Sequence, residues 1–173
     1  MERIRIAGER VTLRPLALDE LDTSLAAREA ADRTVHPVKP DREQLRARFE
    51  RSGLLRDGAL DLAIDVGGVR IGEIQTYRPL ARELPPGAYE VGIMIDRPEL
   101  RGRGYGSEAV ELLLDWLFTE AGATRVHMPT VEGNAAMRAV LERLGFRAEG
   151  TVHDHGLDFV FYVVTRDAWR ARR

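Results

Sequence analysis

The chain has 173 residues, 44% of them hydrophobic and 31% charged, with 26 Lys and Arg against 28 Asp and Glu and no Cys. That size and apolar share suffice for one hydrophobic core over residues 1–173 and exclude a disordered chain, while no run approaches the ~20 apolar residues that span a bilayer. A formal net charge of −2 supplies no basic field for a nucleic-acid partner, and the lack of Cys excludes disulfides, thiolate nucleophiles and thiolate metal sites.

The N-terminus, Met1 to Ile6, alternates like the start of a strand and has no apolar core of the signal-peptide kind, so a cytoplasmic location is expected. Arg10 to Arg14 alternates as a strand that Pro15 stops. Asp19 is the expected cap of a helix running from Leu21 into the low thirties, and Asp41 begins a second helix carrying Leu45 and Phe49. Ala59 to Val66 and Val69 to Thr76 read as two strands joined at Gly67-Gly68, a hairpin turn sequence. A loop with three prolines, Pro79 to Gly87, leads to a strand at Tyr89 to Ile95, where Gly92 marks a bulge or a close backbone approach. The longest helical stretch, Gly104 to Glu120, has Val110, Leu113, Leu114 and Leu117 on one stripe. Arg125 to Met128 is then a short strand expected to end at Pro129, followed by a helix from Asn134 to Leu144 stopped by Gly145. Two strands, from Phe146 and from Leu157 to Val164, and one closing turn around Trp169 complete the pattern. This order predicts an α/β (α+β) domain whose mixed sheet is largely antiparallel and flanked by helices, without the regular alternation of a doubly wound fold.

The segment richest in chemistry is Arg101-Gly102-Arg103-Gly104-Tyr105-Gly106-Ser107, set between a strand and the longest helix. Small residues at alternate positions allow a tight turn that aims backbone N–H groups, at the positive end of a helix, toward an anion. Arg101, Arg103 and Ser107 can add side-chain donors to a phosphate-bearing ligand. The Lys and Ser/Thr ending of a nucleoside-triphosphate loop is missing; Lys39 is the one lysine of the chain. Too much chain and hairpin precede the segment for it to open a dinucleotide fold.

Arg101, Gly104 and Gly106 together resemble the pyrophosphate-binding motif of the GCN5-related N-acetyltransferase (GNAT) superfamily. Tyr89-Glu90-Val91-Gly92, Glu108-Ala109, Leu144-Gly145-Phe146, the opening Arg10 to Leu16 and the closing Arg166 to Trp169 are similar to its ribosomal-protein N-terminal acetyltransferase (RimJ/RimL-like) branch. The resemblance covers nearly the whole chain. It implies an acetyl-CoA cosubstrate, no metal, and direct acetyl transfer to an amine acceptor, either a small molecule or a protein N-terminus. The acceptor-restricting position of the Pro-rich loop favours a small amine.

The same resemblance implies a V-shaped strand splay after Gly92, with the backbone of Ile93, Met94 and Ile95 on the pantetheine arm. The segment Arg101, Gly102, Arg103, Gly104, Tyr105, Gly106 and Ser107 would lie on the pyrophosphate, with Asn134 as a further contact or simply a helix cap. Amine attack needs a proton acceptor, and Glu90 is the first candidate because alternation places it on the face of Gly92 and Met94. Glu73, on the neighbouring strand, is the second, as a base or as an anchor for a cationic amine. The tyrosine that many relatives carry seven residues after the asparagine is replaced by Leu141, and the serine common in the branch by Met137. Those losses keep a second reading open, a noncatalytic acyl-CoA-binding or regulatory module. His153, Asp154, His155 and Asp158 suit a hairpin turn better than a metal site, His36 falls in a linker of the expected acceptor wall, and Trp116 and Trp169 read as packing residues. Monomer and homodimer are both compatible with the pattern.

Overall fold

A computed structural model describes residues 2–79 and 82–172, so residues 80 and 81 of the Pro-rich loop lie outside it. Eight strands form one sheet: β1 Ile6–Ala7, β2 Thr12–Arg14, β3 Leu60–Val66, β4 Val69–Tyr77, β5 Ala88–Ile95, β6 Arg125–Val131, β7 Arg147–Asp154 and β8 Leu157–Thr165. Their order across the sheet is β1-β2-β3-β4-β5-β6-β8-β7. Every neighbouring pair is antiparallel except β5 with β6. A parallel pair needs a crossover, and helix α3, Tyr105–Thr119, supplies it. The other helices are α1 Leu21–Ala30, α2 Arg42–Arg51, α4 Ala135–Arg143 and α5 Arg166–Ala171. The mixed, mainly antiparallel sheet with flanking helices is the expected fold class.

Period-2 alternation sorts the strand residues into two layers. Val91, Val126, Met128, Leu62 and Ile74 join Leu113, Leu117 and Leu141 of α3 and α4 in the main core, while Ala63 on the opposite face packs with Leu45 and Phe49 of α2 and Leu21 of α1. Each fully buried Leu or Phe contributes about 2 kcal/mol of transfer free energy. Trp169 is buried, donates from Nε1 to Asp115 at 2.7 Å and meets Phe118 at 6.5 Å between centroids, so it packs as expected. Among the described residues no helix is long and apolar enough to cross a membrane.

Four local expectations need correction. Asp19 lies inside a 3₁₀ turn, Leu18–Glu20, because the Glu20 carboxylate accepts from Ala17 N–H at 3.0 Å and from Arg14 and so starts the turn earlier. Strand β6 runs through Pro129 to Val131. Its pairing with β5 ends at His127, so beyond that point one edge is open and a missing N–H is tolerated. Gly92 carries no bulge: β5 keeps register with β4 from Glu90 to Ile95, and the glycine instead lets Tyr77 approach, since a Cβ there would sit 3.3 Å from the Tyr77 ring. The strand splay begins after Glu90, two residues earlier than expected, because Glu90 and His127 are the last partners of the parallel pair.

Candidate active site

The glycine segment follows β5 through a 3₁₀ turn at Pro98–Leu100 and enters α3 at Gly104. Gly102 and Gly104 hold φ of +71° and +86°, and a Cβ on Gly104 would lie 2.9 Å from the Arg10 guanidinium. Only glycine fits that turn without strain. Helix α3 has no side-chain cap at Gly104, so its first amides are left for an external acceptor. Gly106 brings the helix against β5, its absent Cβ 3.8 Å from Ile93. A loop of left-handed glycines on an uncapped 15-residue helix fits a phosphate-bearing group.

The arginines of this segment brace it. Arg101 donates to the Ile95 carbonyl at 2.9 and 3.2 Å, and Arg103 to the Glu99 carbonyl at 3.1 Å. Arg10, which sequence reading noted only within the opening run, clamps the loop from the N-terminal side. It donates to the Arg103 carbonyl at 2.9 Å, lies 5.0 Å over the Tyr105 ring, and pairs with Glu108 at 3.2 Å. Burial works against the Glu108 charge, but the amides of Arg10 and Val11 hold its carboxyl below the ordinary range. What the loop offers a ligand is backbone N–H within a positive field.

Past Glu90 and His127 the two strands part, β5 staying with β4 to Ile95 and β6 with β8 to Val131. The backbone edge of residues 91–95 facing β6 therefore has no strand partner and lines a cleft. Ile93 and Ile95 turn their side chains to the α3 core, and Met94 lies with Glu90 on the α1/α2 face. Asn134, at the head of α4, caps it by accepting from Met137 N–H at 3.2 Å.

Glu90 is 3% exposed and forms an ion pair with Arg82 of the Pro-rich loop. The Arg82 guanidinium also lies 4.3 Å over the ring of Phe161 on β8. Across the splay, His127 is 5% exposed, its ring edge-on to Phe161 at 4.9 Å, and neither ring nitrogen has a hydrogen-bond partner. Burial first, then Arg125 and Arg82, pushes its pKa down to about 4. Tyr77, the register partner of Glu90, is pushed up to about 12 by burial. Sequence reading missed Arg82, His127 and Tyr77; for His127, its place between the core residues Val126 and Met128 is a usable signal, since alternation turns it to the opposite face.

Glu73 sits deeper, in a network that ties α1 and α2 to the sheet. Its carboxylate accepts from Ser24 and Arg28 of α1 and from Arg70 at 3.2 Å. Burial raises its pKa, and Arg28, Ser24 and Arg48 together bring it below the ordinary carboxylate range. Arg48 of α2 also pairs with Asp61 at 2.7 Å, and Arg70 with Asp96 at 2.5 Å. Burial pushes Asp96 up to about 6 against the pull of Arg70.

A cavity of about 380 Å³ opens beside the splay, where Thr34 and Val35 of the α1–α2 linker face Val131 to Gly133 and the β7–β8 turn, with Glu132, His153 and Asp158 in its wall. His36 follows in the same linker, and burial and then Arg101 lower its pKa, which places the linker near the glycine loop. His155 and Gly156 have φ of +48° and +73°, as a two-residue hairpin turn requires, and His153 pairs with Asp158 at 2.8 Å. Among the described residues no group of three or more His, Cys, Asp or Glu could hold a metal ion.

A profile described as an acetyltransferase (GNAT) domain matches residues 10–147, from the loop clamp to the start of β7. The chain belongs to the GNAT acetyltransferase family. It is 32% identical over 90 residues to the ribosomal N-acetyltransferase candidate YdaF of Bacillus subtilis, 49% of each chain, so it spans about half the length of that curated relative. An acetyltransferase structure from T. thermophilus superposes with a TM-score of 0.76 at 29% identity, covering 99% of this chain and 94% of the other. The aminoglycoside acetyltransferase AAC(6')-Ib, solved in complex with coenzyme A, superposes with a TM-score of 0.78 at 23% identity over 94% and 99% of the two chains, a likeness of fold.

Proposed function

We propose that this GNAT domain, taken as one unit over residues 1–173, transfers acetyl from acetyl-CoA directly to a primary amine. The observation that carries the reading is the cleft between β5 and β6 running into the left-handed glycines at the uncapped start of α3. The pyrophosphate would lie on the amides of Arg101 to Ser107, including Gly102, Arg103, Gly104, Tyr105 and Gly106. The pantetheine amides would pair with the open backbone edge of Ile93, Met94 and Ile95 and with the side chain of Asn134. When bound, acetyl-CoA supplies an acetyl group on a thiol leaving group; the chain's own residues orient the partners and handle the proton.

Glu90 is proposed as the base, at the apex where the strands part, drawing a proton from the acceptor ammonium so that the nitrogen lone pair is free to attack. Glu73 is held by Ser24 and two arginines, which suits it to positioning α1 behind the site rather than to meeting the amine. The acidic wall of the 380 Å³ cavity, with Glu132 and Asp158, supports a small cationic amine as acceptor, and the fold of AAC(6')-Ib is in keeping with that. The likeness to YdaF supports descent near the ribosomal-protein (RimJ/RimL-like) branch without requiring a ribosomal acceptor.

Calorimetric titration with acetyl-CoA, followed by a transfer assay on a panel of polyamines, aminoglycosides and peptide N-termini, tests the reading. Glu90→Gln is expected to lower kcat about 100-fold, the low end for a positioned acid-base group, with the acetyl-CoA Kd within about twofold. A folded protein that does not bind acetyl-CoA overturns it. Binding without transfer to any amine assigns the chain instead to acyl-CoA-binding modules, the reading that Leu141 and Met137 at two customary side-chain positions leave open.

A further inference from the structure

Glu90 and His127 face one another at the last register pair before β5 and β6 diverge. They share the face opposite the α3 core, because Val91 and Val126 beside them are core residues. Around the imidazole stand Glu90 of β5, Tyr77 of β4, Arg82 of the Pro-rich loop, Arg125 on its own strand, and Phe161 and Val163 of β8. Glu90 is engaged by Arg82, whereas both nitrogens of His127 are buried without a partner. A buried polar group left unpaired costs about 1 to 3 kcal/mol, so such a ring in a strand interior calls for a partner. The direction from which one can come is the opening between the strands.

We propose that His127 is a positioning residue for Glu90 and the second proton carrier of the site, accepting through a ring nitrogen the proton that Glu90 takes from the acceptor ammonium. This rests on the acetyl-transfer reading above. In balance, one ammonium N–H breaks and its proton passes to Glu90 and on to His127, which releases it to solvent. The nitrogen lone pair forms the C–N bond to the acetyl carbon, the C–S bond breaks with its electrons on sulfur, and the thiolate takes up the second proton of the amine. Arg82 limits the charge on Glu90, and the neutral imidazole beside it is a free acceptor. Because burial and Arg125 keep that imidazole neutral well below pH 7, it stands ready to take a proton throughout the physiological range.

The test uses the full chain with acetyl-CoA and the amine found in the panel. His127→Gln and His127→Ala are expected to lower kcat about 100-fold at most, with KM for acetyl-CoA within about twofold, and added imidazole is expected to restore part of the His127→Ala rate. A readout independent of turnover is the NMR titration of the His127 ring, identified by its loss in His127→Gln. Its midpoint is expected to move when Glu90 is changed to Gln, as it does for two coupled groups. An unchanged kcat in folded His127→Gln, or a ring midpoint indifferent to Glu90→Gln, overturns the proposal while leaving acetyl transfer intact. A wild-type protein with no transfer activity overturns the functional reading and this proposal with it, so the two failures are told apart by the wild-type assay alone.

Discussion

Single residues in this protein are held mostly by charge. Glu73 is 3% exposed and receives a hydroxyl and two guanidinium groups from separate elements, so its carboxylate is affordable in the interior only while they are present. Arg28→Met removes the partner from α1 and leaves the carboxylate to Ser24 and Arg70. The expected loss is about 3 kcal/mol, measured by urea unfolding, the low end for breaking a buried pair. Arg28→Met combined with Glu73→Met is expected to recover most of it, because two apolar side chains of similar volume need no counter-charge. A double variant as unstable as the single one would sink the ion-pair account and point to packing. From sequence alone Glu73 looked as available as Glu90, because alternation reports the face a residue takes and not what the opposing helices bring to it. Arg28, Arg48 and Arg70 are distant in sequence, and their convergence is a tertiary fact.

At the scale of elements, what could be read in the sequence was what local geometry decides. The Gly67-Gly68 hairpin, the Asp41 cap of α2 and the Asn134 cap of α4 follow from backbone demands within a few residues, and the structure has each of them. The start of the splay was displaced by two residues, because where β5 leaves β6 depends on how far each stays with its other neighbour. Pro129 misled for the same reason: proline stops a strand paired on both edges, and β6 has one edge open there. The glycine loop was legible because it needs positive φ, and this yields an element-level prediction. Gly104→Ala places a Cβ where φ is +86° and 2.9 Å from the Arg10 guanidinium. Left-handed backbone costs a non-glycine residue about 1 to 2 kcal/mol, so the loop is expected to relax and the acetyl-CoA Kd to rise about tenfold. Calorimetry checks this, and an unchanged Kd would remove the loop from the binding site.

For the molecule as a whole, the buried charges set how stability follows pH, and they act in opposite directions. An unfolded His127 binds a proton below about pH 6.5, the folded one only below about pH 4. Lowering the pH through that window protonates the unfolded chain alone, so His127 costs stability as acid is added. Glu20, Glu73 and Glu108, held below the ordinary carboxylate range, act in the same sense at lower pH: their stabilisation is present above about pH 4.5 and is lost as pH falls. Asp96 opposes them. With its folded pKa raised to about 6, it takes up a proton in the folded state first, so its contribution falls as the pH rises from about 4 to 6. Between pH 4.5 and 6.5 the wild-type Tm is therefore expected to climb only gently. His127→Gln deletes a rising contribution and flattens the climb, whereas Asp96→Asn deletes a falling one and steepens it. Calorimetric scans of the three proteins across that window decide the matter, and parallel profiles for wild type and Asp96→Asn would show that the Arg70 partner, rather than burial, governs Asp96. That result would also make the Arg70–Asp96 pair, at the end of β5 where the chain turns toward the glycine loop, an ionised brace at every pH of the window.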